Sequence, residues 1–261
     1  MPEIVNAARE RLRRDQLALG LNIRQPKHAE IGPMLKACGF HWLFLDDETS
    51  PLPGDRAHEI ALTATRTGIT PLVRVRRNDP AEIGVQLSNG AMGVIVPHVN
   101  TADEAEAAAR AARFPPDGDL AVPGSLPQLG YDPVPFAQAT RMLNDLYLVV
   151  AMIETSEAVA NADAIAAVPG VDVLFIGFHD LTQQLGIPSQ DNHPEVVAAV
   201  EKVCAAARKH GKYAGMGGVE TEAAWGRFVG MGMRFILAGH DFRMMMNGAK
   251  ARAAFFEGLR G

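Results

Sequence analysis

A chain of 261 residues, 48% hydrophobic and 21% charged, can form one closed barrel or two small domains, and its apolar content excludes a disordered chain. A formal net charge of -5 leaves no basic footprint, so no nucleic-acid partner is expected. No apolar run is long enough for a membrane span and the N-terminus has no apolar signal core, which predicts a soluble cytoplasmic protein.

Residues 3–15 predict a polar-faced leading helix. LALGLNI reads as the first strand and HAEIGPMLKACG as a helix stopped by Gly39. HWLFLDDE is the second strand, with Asp46 and Glu48 on one face of its end and Asp47 on the other. A helix over 55–67 ends at Gly68. ITPLVRV is the third strand and carries Arg74 in an apolar run; the helix over 80–87 is broken by Asn89-Gly90. AMGVIVPHV is the fourth strand, and Thr101 with Glu104 forms a capping box opening an alanine-rich helix. The Pro- and Gly-rich stretch 114–135 is a long loop, functional or mobile. A helix over 136–144, a fifth strand ending at Glu154, a helix over 155–167 and a sixth strand ending at Gly177 follow. The chain finishes with an amphipathic helix over 194–210, the strand YAGMGG, a helix over 220–229, the strand MRFILAG and a last helix over 241–259. Cys38 and Cys204 lie in helical patterns and are expected to be buried as small apolar residues.

Eight apolar strands alternating with helices predict an α/β fold, a single-domain (β/α)8 TIM barrel over 1–261. The alternative, an open doubly wound sheet, lacks a Gly-x-Gly-x-x-Gly after the first strand. In such barrels the chemistry sits at the C-terminal strand ends. Here those ends read Asn22-Arg24, Asp46-Glu48, Arg74, His98, Glu154, His179-Asp180, Gly217-Gly218 and His240-Asp241. Glu154 and Asp180, on neighbouring strands, repel one another unless a cation or proton lies between them. Two carboxylates with waters and substrate oxygens suit Mg or Mn better than zinc. Asp46 and Glu48 fit a structural ion pair with Arg74 equally well, His98 fits a loop cap, and His240 fits a hydrogen-bonded interior histidine.

The segments PLVRV, GAMGVIVPHVNTADEA, IET and VLFIGFHDLTQQLGIP resemble the HpcH/HpaI family of class II, metal-dependent 2-oxo-acid aldolases, in order from about residue 18 to 250. The resemblance implies a pyruvate-type (β/α)8 barrel, commonly a homohexamer, whose terminal helix (about 241–259) packs on a neighbouring subunit. It implies a divalent metal (Mg or Mn, with Co as a third choice) on Glu154 and Asp180. It places Arg74 on the pyruvyl oxygen and the backbone of Gly177, Phe178, His179 and Asp180 around the pyruvate carboxylate. The substrates implied are a 2-oxo acid, pyruvate or hydroxypyruvate, and an aldehyde.

Four stretches depart from the family pattern. Thr49 stands where a histidine usually acts as general acid/base, and threonine cannot shuttle a proton near neutral pH. Phe178-His179 replaces a Pro-x pair, Ser88 replaces an acid, and Leu120-Ala121 replaces Arg-Gly. The groups left to move protons are His179, then His240, then His98, with metal-bound water or the Asp46/Glu48 pair behind them. Aldol cleavage is the first reading. Decarboxylation of a 2-oxo diacid and a non-catalytic 2-oxo-acid-binding protein are the alternatives.

Overall fold

A computed structural model describes residues 4–25, 28–50 and 54–260. Its eight parallel strands are β1 (Ala18–Ile23), β2 (Trp42–Asp46), β3 (Thr70–Arg74), β4 (Gly93–Val96), β5 (Leu148–Ile153), β6 (Val173–Gly177), β7 (Tyr213–Gly217) and β8 (Met233–His240). They close into a barrel in chain order, β8 pairing back onto β1. The expected single barrel is therefore the fold, and the open sheet is excluded.

The strands read as nearly continuous apolar runs because both of their faces are covered. Alternate residues point inward, where Phe44, Leu72, Ile95, Val150, Met152, Phe175 and Phe235 fill the barrel. The intervening ones, such as Leu43, Val73, Val149, Leu174 and Ile176, pack under the helices. Trp42 lies across the lower barrel, stacked on Phe235 at 4.1 Å, and donates from Nε1 to the Ala18 carbonyl at 3.0 Å. Gly20 makes that possible: a Cβ there would come within 2.1 Å of the indole.

The helices are α1 (Ala7–Arg13), α2 (Ile31–Ala37), α3 (Gly54–Thr67), α4 (Pro80–Ser88), α5 (Ala102–Ala111), α6 (Phe136–Leu146), α7 (Ser156–Ala160), α8 (Ala162–Ala167), α9 (Phe178–Gln184), α10 (Pro194–Lys209), α11 (Glu222–Met231) and α12 (Asp241–Glu257). The capping box on α5 forms as expected, Thr101 Oγ1 accepting from Glu104 N while the Glu104 carboxylate accepts from Thr101 N.

Several expectations are corrected. The leading helix begins at Ala7, and residue 3 lies outside the described residues. The helix expected over 155–167 is two, because Asn161 leaves helical geometry and donates its side-chain amide to the Asn100 carbonyl at 2.8 Å. Cys204 is buried, but Cys38 is exposed, because it falls at the C-cap of α2 just past the face turned to the barrel. At Phe178, α9 starts on the residue directly after β6. The long loop expected over 114–135 is present as such, largely irregular with a single 3-10 turn at Pro127–Leu129. No helix among the described residues is long and apolar enough to cross a membrane.

Candidate active site

The C-terminal strand ends surround a cavity of about 430 Å³. Phe44, Met152, Phe175 and Leu237 supply apolar lining, and Arg24, Asp46, Glu48, Thr49, Arg74, His98, His179, Asp180 and His240 line it with polar groups. Volume alone does not single it out. A larger groove, about 810 Å³, runs along the outside between α4 and α5. That groove holds the Arg110–Asp119 pair, together with Ser88, Leu120 and Ala121. Two departures from the family pattern thus share one outer groove, and no residue of 114–135 lines the cavity of its own chain.

Register places the first pair. Asp46 and Arg74 are direct neighbours across β2 and β3. Arg74 Nε and Nη2 donate to the two Asp46 oxygens at 2.9 and 2.8 Å, Nη1 meets Glu48 at 2.7 Å, and Nη2 also donates to Thr49 Oγ1 at 3.1 Å. The guanidinium lies 5.2 Å above the Phe44 ring. The structural ion pair that the sequence left open is therefore present. Burial works to raise the Asp46 pKa, but the Arg74 hydrogen bonds and charge outweigh it and hold the carboxyl below its usual range. Burial likewise works to lower the Arg74 pKa, and Asp46, Glu48 and Glu154 outweigh it. Thr49 donates to Asp46 Oδ2 at 2.5 Å, so its hydroxyl braces this network.

Glu154 follows the last residue of β5 and is 2% exposed. One of its oxygens accepts the His98 amide at 2.8 Å. The other lies against Gly177, where a Cβ would approach it to 2.6 Å. Burial first, then the charges of Asp180 and Glu48, push the Glu154 pKa up, against the His98 hydrogen bond. Asp180 sits in the first turn of α9, and its carboxylate takes no hydrogen bond or ion pair among the described residues. Asp180 lines the cavity, whereas Glu154 is buried behind the wall against Gly177 and is not among the lining residues.

The three histidines fare differently. His98 bridges two acids, Nδ1 lying 3.3 Å from Glu154 and Nε2 3.4 Å from Glu48, on a backbone with φ +53°. A non-glycine residue in that region is uncommon and clusters at functional sites. The sequence placed His98 last of the three, because nothing in a Pro-His pair after a strand reveals a left-handed turn. His179 is exposed and packs edge-on to Phe178, beside Gly218. Asp241, next to His240 in sequence, makes no hydrogen bond with its imidazole among the described residues. Asp241 Oδ2 accepts the amides of Arg24 and Gln25 at 2.8 and 2.9 Å, and Oδ1 accepts that of Phe242 at 2.6 Å. The carboxylate faces the turn after β1, and His240 Nδ1 is left buried without a partner among the described residues.

The sequence model of the HpcH/HpaI aldolase/citrate lyase family matches residues 22–248. The chain is 36% identical to a 4-hydroxy-4-methyl-2-oxoglutarate aldolase of Hapsidospora irregularis over 242 residues, 90% of this chain and 88% of that one. It is 34% identical to a 4-hydroxy-2-oxo-heptane-1,7-dioate aldolase of Salmonella typhimurium over 254 residues, covering 96% and 94%. Its fold is similar to the crystal structure of an HpcH/HpaI aldolase from Desulfitobacterium hafniense, with a TM-score of 0.91, 27% identity and 97% of each chain covered. The chain, a carbon–carbon lyase of aldolase type with its polar residues gathered at the mouth of a (β/α)8 barrel, belongs to the HpcH/HpaI aldolase/citrate lyase family.

Proposed function

We propose that this protein cleaves, and in reverse forms, the carbon–carbon bond between a pyruvate unit and an aldehyde or ketone, with a divalent cation held by Glu154 and Asp180. The observation that carries the reading is the Glu154 carboxylate. A buried acid facing two further acids is costly when ionised unless a cation shares the site. The donors here are carboxylate oxygens, which suit Mg or Mn, with Co as a third choice. Among the described residues, no group of three or more His, Cys, Asp or Glu side chains could hold a metal ion. Two protein ligands leave the remaining positions to water and substrate oxygens. When bound, such an ion polarises the 2-oxo carbonyl and draws charge from the neighbouring carbon.

The chain's own residues do the rest. In cleavage the C3–C4 bond breaks and its electron pair passes into the C2 carbonyl, giving the enolate. The C4 hydroxyl loses its proton as C4–O becomes a carbonyl, and C3 then gains a proton. Arg74 faces the developing oxyanion. Asp46, Glu48 and Thr49 occupy four of its five N–H donors, leaving one for substrate on a guanidinium that need not reorganise. The backbone of Gly177, Phe178, His179 and Asp180 surrounds the pyruvate carboxylate. His98, joined to Glu48 and Glu154, moves ahead of His179 and His240 as the group that handles the proton. Asp46 is committed to Arg74 and is a poor base.

A second reading, decarboxylation of a 2-oxo diacid, gains from Thr49, since that reaction needs no base at a C4 hydroxyl. The exposed α12 surface supports assembly into a homo-oligomer, a hexamer by family resemblance, and a cytoplasmic setting completes the reading.

Two measurements test it. Wild-type protein with Mg or Mn should exchange the C3 protons of pyruvate in D2O, and absence of exchange with either ion ends the enolising reading. Glu154→Ala and Asp180→Ala should each abolish Mn binding in calorimetry; undiminished affinity in both removes the metal assignment.

A further inference from the structure

Two guanidiniums meet at one hydroxyl on the cavity wall. Arg74 Nη2 donates to Thr49 Oγ1 at 3.1 Å, and Arg24 Nη2 donates to the same oxygen at 3.4 Å. The Thr49 proton goes to Asp46 Oδ2 at 2.5 Å. A hydroxyl has one proton and two lone pairs, so this one is fully used, and both of its lone pairs face cations. The chain itself sets its place. Asp46 Oδ1 accepts the amides of Glu48 and Thr49 at 3.2 and 3.3 Å, which folds the turn after β2 over that carboxylate. Branching at Cβ then leaves the Thr49 side chain few rotamers.

The surrounding charges show what such a junction does. Arg74 stands between Asp46 at 2.8 Å and Glu48 at 2.7 Å. Those two carboxylates outweigh its single charge, so Arg74 by itself would leave a developing oxyanion facing a net anionic cluster. Arg24 restores the balance. Its guanidinium has no carboxylate within ion-pair distance among the described residues, because Asp241 directs its oxygens to the Arg24, Gln25 and Phe242 amides instead. Burial first, then Arg24, hold the His240 pKa down, so the field of Arg24 extends over the cavity. Two like charges repel, and the group that links them decides whether both act on a ligand. A carboxylate at position 49 would hold both guanidiniums and cancel one charge. An alkyl group would hold neither. A hydroxyl accepts from both and leaves their charges intact.

Resting on the aldolase reading above, we propose that Thr49 is a positioning residue: its hydroxyl holds Arg24 beside Arg74, and the enolate oxygen develops its charge in the field of both guanidiniums. The electron pair released at C3 ends on that oxygen, and no proton passes through Thr49. Donors fixed before the reaction stabilise such a charge without reorganising.

The test reads pyruvate C3 exchange in D2O with Mn for the wild type, Thr49→Val, Thr49→Ser and Arg24→Gln, with urea denaturation to establish that each variant is folded. Thr49→Val and Arg24→Gln should each lower kcat by about 10- to 100-fold, the range of one charge-assisted hydrogen bond. Thr49→Ser should keep most of the rate. Because Thr49 acts through Arg24, the double variant should lose far less than the product of the two single losses. A folded Thr49→Val or Arg24→Gln enzyme at the wild-type rate, or losses that multiply, overturns the proposal. Wild-type protein that exchanges with neither Mn nor Mg removes the aldolase reading, and calorimetry with oxalate in the presence of Mn then decides the junction by itself. Oxalate imitates the enolate with its coplanar oxygens. Affinity lowered in both Thr49→Val and Arg24→Gln and restored in Thr49→Ser supports the junction. Affinity equal to the wild type in either of the first two, or no binding to the wild type, overturns it.

Discussion

Replacing Gly177 with alanine tests how closely the fold holds Glu154. Gly177 has φ -81°, a conformation open to any residue, so the substitution adds a methyl group without backbone strain. The new Cβ would lie 2.6 Å from Glu154 Oε2 and 3.2 Å from both Glu154 Cβ and Met152 Cε. The first contact is about 0.8 Å short of ordinary van der Waals separation. The carboxylate must move by roughly that distance, because the methyl group is fixed on a strand and the other Glu154 oxygen is tied to the His98 amide. Overpacking of this kind costs about 1–3 kcal/mol of stability. Disturbing the support of a metal ligand costs about 10- to 100-fold in affinity. Calorimetry with Mn at neutral pH, alongside urea denaturation, reads both quantities. The expected result is a folded protein with weakened Mn binding. A Gly177→Ala variant that binds Mn as the parent does would refute the argument that Gly177 exists to seat the Glu154 carboxylate.

Arg74→Lys should fold but lose most turnover, about 100-fold or more, since lysine cannot reproduce the fork that engages Asp46 and still faces substrate; steady-state kinetics at the wild-type rate would make Arg74 purely structural. His240 has a folded pKa below its ordinary value, so its neutral form contributes stability that is complete above about pH 6.5 and is lost as pH falls through the depressed folded value. Urea titrations of wild type and His240→Gln should therefore diverge as pH falls from about 6.5 to the depressed folded value, and parallel curves across that window would contradict the assignment. On α12, Met244, Met245, Phe255 and Phe256 are exposed and Met246 is half-buried, more apolar surface than a solvated helix carries. Light scattering should show an oligomer at micromolar concentration, and a 28.0 kDa particle would exclude one.

The barrel is legible in the amino-acid sequence. Eight apolar runs covered on both faces admit few other arrangements, and the turn signals at Gly39, Gly68 and Asn89-Gly90 separate strands from helices with little overlap. The list of polar strand ends is legible too, because a parallel barrel delivers every such end to one rim. What each end touches was decided by register and backbone conformation, which no local pattern encodes. The β2–β3 register set Arg74 beside Asp46 and so drew Thr49 into a brace. A left-handed turn at His98 swung that imidazole between Glu48 and Glu154. The side chain of Asp241 turned to the amides after β1, separating it from the histidine beside it in sequence. Neighbours along the chain share a strand, but the chemistry of this site lies between residues brought together from opposite ends of it. Such contacts follow from the closure of the barrel, and only the tertiary structure supplies them.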